Sequence, residues 1–171
     1  GGWDVEIIDE VAGDRWQGQQ ADLVGITSLT PTAPRAYQIA AEFRARGVPV
    51  VMGGMHATLC PTEAAQYVDA VFCGEAEGAW PQLIRDVERG RLQTRYEGGA
   101  PALNDLRLPR RDLYRHKYRV ALVSASRGCR YRCEFCAVWK FEGGQFRARP
   151  VQQVLSELAH LPRSYITLFT D

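Results

Sequence analysis

Four short apolar runs open the chain: residues 4–9 (DVEIID), 22–27 (DLVGIT), 48–54 (VPVVMGG) and 69–74 (DAVFCG). Each has strand length and closes on Gly or a polar residue. Continuous runs of this kind suit strands covered on both faces of a parallel sheet. Between them the period changes. Residues 34–47 put Ala36, Ile39, Ala40 and Phe43 on one helical face, with Thr32 as N-cap and Gly47 as stop. Residues 77–90 do the same with Trp80, Leu83, Ile84 and Val87, and 61–67 fit a short helix. The connection before residue 22 is too short for a full helix. This alternation predicts an α/β fold built on a doubly wound parallel sheet.

The pattern breaks at 93–118. Pro101 and Pro109 accompany a basic run of Arg107, Arg110, Arg111, Arg115, Lys117 and Arg119, interleaved with Tyr114 and Tyr118. Asp105 and Asp112 offset the charge, which favours a solvated, extended connection over a nucleic-acid surface. Apolar periodicity then resumes. Residues 119–124 read as a strand and 165–171 as another. Between them, 150–162 form a helix with Val151, Val154, Leu155 and Leu158 on one face, Pro150 at its start and Pro162 after its end. Strand, loop, helix and strand in this order begin a (β/α) barrel, whose chemistry lies on the loops after the strands. The expected division is 1–92, a connection at 93–118, and 119–171.

Composition narrows the function. The 171 residues carry 21 basic and 20 acidic side chains, and 46% are hydrophobic. The balance argues against a nucleic-acid partner, and no apolar run approaches the roughly 20 residues of a membrane span. The chain begins at Gly1 and stops at Asp171 inside a strand pattern, so we expect a piece of a longer protein, inactive alone. There are five cysteines: Cys60 and Cys73 stand apart, whereas Cys129, Cys133 and Cys136 cluster. An odd, clustered set points away from a secreted disulfide framework and toward the cytoplasm.

The cluster lies in SRGCRYRCEFC, residues 126–136, directly after a predicted strand. A zinc knuckle needs a fourth ligand, and His116 and His160 are each more than ten residues away. A Cys133/Cys136 redox pair leaves Cys129 over. Three thiolates gripping a [4Fe–4S] cube leave one iron open for another ligand. In the first half, the turns 27–32 (TSLTPT), 53–58 (GGMHAT) and 74–78 (GEAEG) follow strands, where doubly wound sheets bind ligands.

These stretches resemble a known family. DLVGITSLTPTAPRAYQIA, VPVVMGGMHATLCPTEA and DAVFCGEAEGAWPQLI look like the flavodoxin-like cobalamin-binding domain at the front of many radical S-adenosylmethionine enzymes. The resemblance implies that Ser28, Leu29 and Thr30 form one cofactor turn and Gly53 and Gly54 a second. Gly74, Glu75 and Glu77 match the Gly-Glu-x-Glu stretch of the radical subgroup and are implied as further cobalamin contacts. The Asp-x-His-x-x-Gly loop of the cobalt-ligating members is missing; with 4–9 as second strand it would precede Gly1. His56 reads as a solvated turn residue near the tail site rather than a cobalt ligand.

CRYRCEFC matches the C-x-x-x-C-x-aromatic-C signature of the radical enzymes. This implies Cys129, Cys133 and Cys136 as cluster ligands and Phe135 as a contact to S-adenosylmethionine. Arg127, Arg147 and Arg149 read as surface arginines. The implied cofactors are a [4Fe–4S] cluster, S-adenosyl-L-methionine and cobalamin. The implied activity is reductive cleavage of S-adenosylmethionine to a 5′-deoxyadenosyl radical, for methyl transfer to, or cyclisation of, a small organic substrate. A flavodoxin or ferredoxin would donate the electron. No catalytic side chain is implied beyond the cluster. A front domain that has lost cobalamin, or a non-catalytic corrinoid carrier, stay open as alternatives.

Overall fold

The computed structural model describes residues 2–16, 18, 20–116, 118–142 and 144–170. The expected basic residue Lys117 lies outside them, as do both end residues. The chain divides into two compact units, one of residues 21–102 and 127–147, the other of 1–20, 103–126 and 148–171.

The first unit is a four-stranded parallel sheet in the order β1 (Val24–Thr27), β2 (Val50–Gly53), β3 (Ala70–Gly74), β4 (Arg95–Gly99). The two central strands are buried along nearly their whole length, as their unbroken apolar runs require, while β1 and β4 at the edges alternate. Helices α1 (Ala33–Arg44), α2 (Gly54–Leu59), α3 (Pro61–Ala64) and α4 (Ala76–Glu88) make the connections. Val51, Ala70, Phe72 and Tyr96 form a core with Leu83 of α4, against which Trp80, Ile84 and Val87 pack. Cys73 points to the opposite face, where its thiol lies 3.9 Å from the Ala57 carbonyl of α2. Helices therefore cover both faces, and the doubly wound expectation holds. Gly47 ends the α1 turn at φ +75°, where other residues are strained. Thr32 does precede α1, but its hydroxyl turns back to the Leu29 carbonyl at 3.0 Å instead of capping the helix.

Two expectations fail here. Residues 4–9 form no strand. Three of the six residues are acidic, and the segment finds no ladder among the described residues. Asp9 accepts instead from the Val11 and Ala12 amides and from the Tyr118 hydroxyl. Conversely, β4 lies in what reads as polar connection. Its one buried apolar side chain is Tyr96, so an edge strand of this composition carries little hydrophobic signal.

In the second unit β5 (Val120–Val123) pairs in parallel with β8 (Ile166–Phe169), and α6 (Val151–Ala159) connects them. This is the expected strand–helix–strand start. The two-residue strands β6 (Ser126–Arg127) and β7 (Arg147–Ala148) pair, and the short helix α5 (Val138–Phe141) lies in the chain between them. The inward face of α6 differs from the apolar stripe. Val154 and Glu157 are buried, whereas Val151 and Leu155 are exposed. Glu157 is drawn inward by two cations. Arg149 Nη1 donates to its Oε2 at 2.7 Å and Arg111 Nη2 to its Oε1 at 2.6 Å. Both arginines also hold the end of β5, through the Ser124 and Leu122 carbonyls. Arg149 is thus buried, not a surface residue.

Candidate functional site

The carboxyl ends of β1, β2 and β3 carry the three turns singled out from the sequence. Ser28 follows β1. It is buried, and its Oγ has no hydrogen-bond partner among the described residues. Leu29 beside it is exposed, and Thr30 opens a single 3-10 turn, Thr30–Thr32. Gly53 ends β2 and Gly54 starts α2 at φ +87°. A Cβ on Gly54 would lie 2.5 Å from the Thr27 hydroxyl and 3.2 Å from the Ser28 backbone. This glycine therefore brings β1 and β2 together, and the space beside it is filled by protein. The His56 amide completes the junction by donating to the Ser28 carbonyl at 3.2 Å.

His56 is buried on α2, not solvated. Its Nε2 lies 2.7 Å from the Tyr37 hydroxyl and its Nδ1 3.3 Å from Thr30 Oγ1. Tyr37 also donates to Glu63 at 3.1 Å. Burial first, then this carboxylate, pushes the Tyr37 phenol up to about 12. The histidine is thus a satisfied core residue that ties the first turn to α1 and α2.

The third turn is the most constrained. Gly74 stands at φ +80°, and its amide donates to Thr58 Oγ1 at 3.0 Å. The Glu75 amide reaches the Gly99 carbonyl. A Cβ on Gly78 would lie 2.5 Å from the Gly98 carbonyl, and one on Gly98 would lie 1.8 Å from that of Glu75. The glycines of GEAEG and of β4 thus fit each other. The turn aims Glu75 inward and leaves Glu77 partly exposed.

Both carboxylates meet the segment that carries the cysteines. Arg127 Nη1 donates to Glu75 Oε2 at 2.6 Å and its Nη2 to Glu77 Oε1 at 2.7 Å. Arg147 forks onto Glu75, donating to Oε2 at 3.2 Å and also to Oε1, and its Nη1 donates to the Pro101 carbonyl at 2.6 Å. Burial works against ionisation of Glu77, but the Arg127 hydrogen bond and charge prevail and lower its pKa. Burial likewise opposes the charge on Arg127, and the two glutamates outweigh it. Glu142, near the same group, is raised by burial and then by the Glu75 charge. Arg127 and Arg147 are therefore paired rather than free at the surface. Their placement on either side of the cysteines, opposite a Glu-x-Glu turn of matching charge, was the available sequence signal.

Between these arginines Cys129, Cys133 and Cys136 lie on one loop, none in a disulfide. Cys133 is exposed and the other two are half-buried. The Cys136 amide and the Trp139 indole both donate to the Cys133 carbonyl, at 3.1 and 3.2 Å. Phe135 is 94% exposed. Gly128 sits against the Gln145 carbonyl, which a Cβ would approach to 1.9 Å. Among the described residues no three His, Cys, Asp or Glu side chains are already gathered for a metal. The loop offers a thiolate donor set of the right chemistry for an iron–sulfur cluster. The unpartnered Ser28 hydroxyl beside small turn residues likewise suits a bound polar ligand such as cobalamin.

The sequence matches the B12 binding domain family over residues 2–84. Relatives extend the likeness beyond these residues. Bacteriochlorophyllide d C-8(2)-methyltransferase of Chlorobaculum tepidum is 37% identical over 85% of this chain and 34% of its own length. Anaerobic magnesium-protoporphyrin IX monomethyl ester cyclase of Rubrivivax gelatinosus is 30% identical over 95% of this chain and 36% of its own. The chain thus spans about a third of the curated relatives it matches. In fold it is similar to the radical S-adenosylmethionine methyltransferase TsrM from Kitasatospora setae, solved with cobalamin and a [4Fe–4S] cluster. The TM-score is 0.65 at 18% identity, over 90% of this chain and 39% of TsrM. No described helix is long and apolar enough to cross a membrane.

Proposed function

We propose that the chain is the front part of a cobalamin-dependent radical S-adenosylmethionine enzyme. The observation that carries this reading is the placement of Cys129, Cys133 and Cys136. They share one loop, free of disulfides, tied to the third strand-end turn of the B12-binding domain. The two relatives, a methyltransferase and a cyclase, support methyl transfer to, or cyclisation of, a small organic molecule.

The three thiolates would hold a [4Fe–4S] cluster, and the turns at Ser28, Leu29, Thr30, Gly53, Gly54 and Gly74 would serve the cobalamin. When bound, the cluster supplies the electron and the open iron for reductive cleavage of S-adenosylmethionine. The chain's own part is positional. The Gly128–Gln145 contact closes the loop at its base, and the Phe135 ring stands exposed beside Cys136 to pack against the nucleoside. In this reading residues 1–92 serve the corrinoid and 119–171 serve the cluster, and the connection at 93–118, whose first part supplies β4, joins them. A flavodoxin or ferredoxin in the cytoplasm donates the electron.

The test is anaerobic reconstitution of the full-length protein with iron, sulfide and hydroxocobalamin. We expect about four irons per chain, a broad visible absorption lost in Cys133→Ala, and saturable cobalamin uptake. Zinc, or no metal, in the wild-type protein ends the cluster assignment. A cluster without cobalamin uptake restricts the front domain to a non-corrinoid role.

A further inference from the structure

The Gly-Glu-x-Glu turn lies where cobalamin contacts are expected, yet its carboxylates are already engaged. Glu75 is buried, and both its oxygens accept from guanidinium groups. A carboxylate so enclosed is stable as an anion only with such partners. The partners are not scattered. Arg127 enters the cysteine loop two residues before Cys129, and Arg147 leaves it eleven residues after Cys136. One carboxylate therefore grips both ends of one loop. Arg147 adds a bond to the Pro101 carbonyl, beyond the end of β4, and Glu77 adds a second acceptor for Arg127. The glycine contacts among Gly74, Gly78 and Gly98 fix the turn that aims Glu75. Three hydrogen bonds from two guanidinium groups thus occupy both Glu75 oxygens before any other ligand is considered.

We propose that Glu75 is a positioning residue for the cysteine loop, clamping its two ends to the third strand-end turn, and not a corrinoid contact. The sheet that serves cobalamin then also sets where the three thiols stand. The effect on a cluster rests on the reading given above; the clamp itself does not.

The experiment uses full-length protein with Glu75→Gln, Glu75→Asp and Arg127→Gln. In metal-free protein, hydrogen–deuterium exchange is followed in peptides from 128–146 and, as control, from β1 and β2. Glu75→Gln should speed exchange in the loop by roughly tenfold and leave the control peptides unchanged. Glu75→Asp, which keeps the charge, should return the rate toward wild type, and Arg127→Gln should fall between. In reconstituted protein, iron loss to a chelator should quicken by about the same factor, with cobalamin affinity unaltered. Unchanged loop exchange in Glu75→Gln overturns the proposal. So does equal acceleration in every peptide, the mark of a general loss of stability. Weakened cobalamin binding with an unperturbed loop assigns Glu75 to the corrinoid instead. If the wild-type protein takes up no cluster, the enzyme reading fails while the exchange result still decides the clamp.

Discussion

Replacing Glu157 tests how far a buried carboxylate organises the β5–α6–β8 unit. Its side chain is 3% exposed and balances Arg149 at 5% and Arg111 at 25%. Removing one partner of such a group leaves uncompensated buried charge, which costs about 3–5 kcal/mol. Glu157→Ala should fall in that range at neutral pH. Glu157→Gln keeps one acceptor but turns an amide N–H toward the other guanidinium, so about 2–3 kcal/mol is expected. The pH dependence separates charge from packing. Burial raises the Glu157 pKa, but the Arg111 and Arg149 hydrogen bonds overcome it, and the net shift is downward. A carboxylate depressed in the folded state adds stability above its unfolded pKa, about 4.3. That stability is lost as pH falls through the folded value. The difference between wild type and Glu157→Gln should therefore be full at pH 7 and shrink progressively below about pH 4. Urea unfolding followed by circular dichroism gives the difference, and hydrogen exchange in β5 and α6 peptides localises it. A gap that stays constant from pH 7 to pH 3 refutes the charge argument and leaves only packing.

Further outcomes follow from single contacts. Gly98→Ala drives a Cβ into the Glu75 carbonyl and should cost at least about 3 kcal/mol, read as lost soluble yield or a lower melting temperature. Gly90→Ala meets no atom within 4 Å and carries only the strain of φ +63°, so about 1 kcal/mol is expected in the same melt. Ser28→Ala removes a buried hydroxyl without a partner. It should leave the cobalamin-free protein equal or up to about 1 kcal/mol more stable, yet weaken cobalamin uptake in an absorbance titration. Leu83→Ala empties a fully buried site in the first core and should destabilise by about 2–5 kcal/mol in urea.

The central strands were legible because they are covered on both faces, so β2 and β3 announce themselves as unbroken apolar runs. The edges were not. DVEIID has a strand's composition but finds no neighbour to pair with, and RYEGG pairs through its backbone with one buried ring. In α6 the periodic apolar residues gave the helix but not its orientation. Glu157 faces inward because Arg149, just before the helix, and Arg111, far from it in sequence, meet it there, and an apolar period cannot register such partners. The same holds at the site. The cysteine spacing and the glycine turns could be read directly. The pairing of Glu75 with Arg127 and Arg147 joins residues about fifty and seventy positions apart and emerges only once the sheet brings them together, much as it turned His56 from an expected solvent group into a core one.

The neck at Gly128 and Gln145 means that residues 128–145 form a ring of chain already closed by protein contacts. Joining the ends of a free segment that long carries an entropic penalty of about 2.5 kcal/mol beyond a constant. Metal capture by the thiols would start with that term met by folding, so only the residues inside the ring remain to be ordered. Lengthening the chain within the ring should accordingly perturb assembly far less than severing its base.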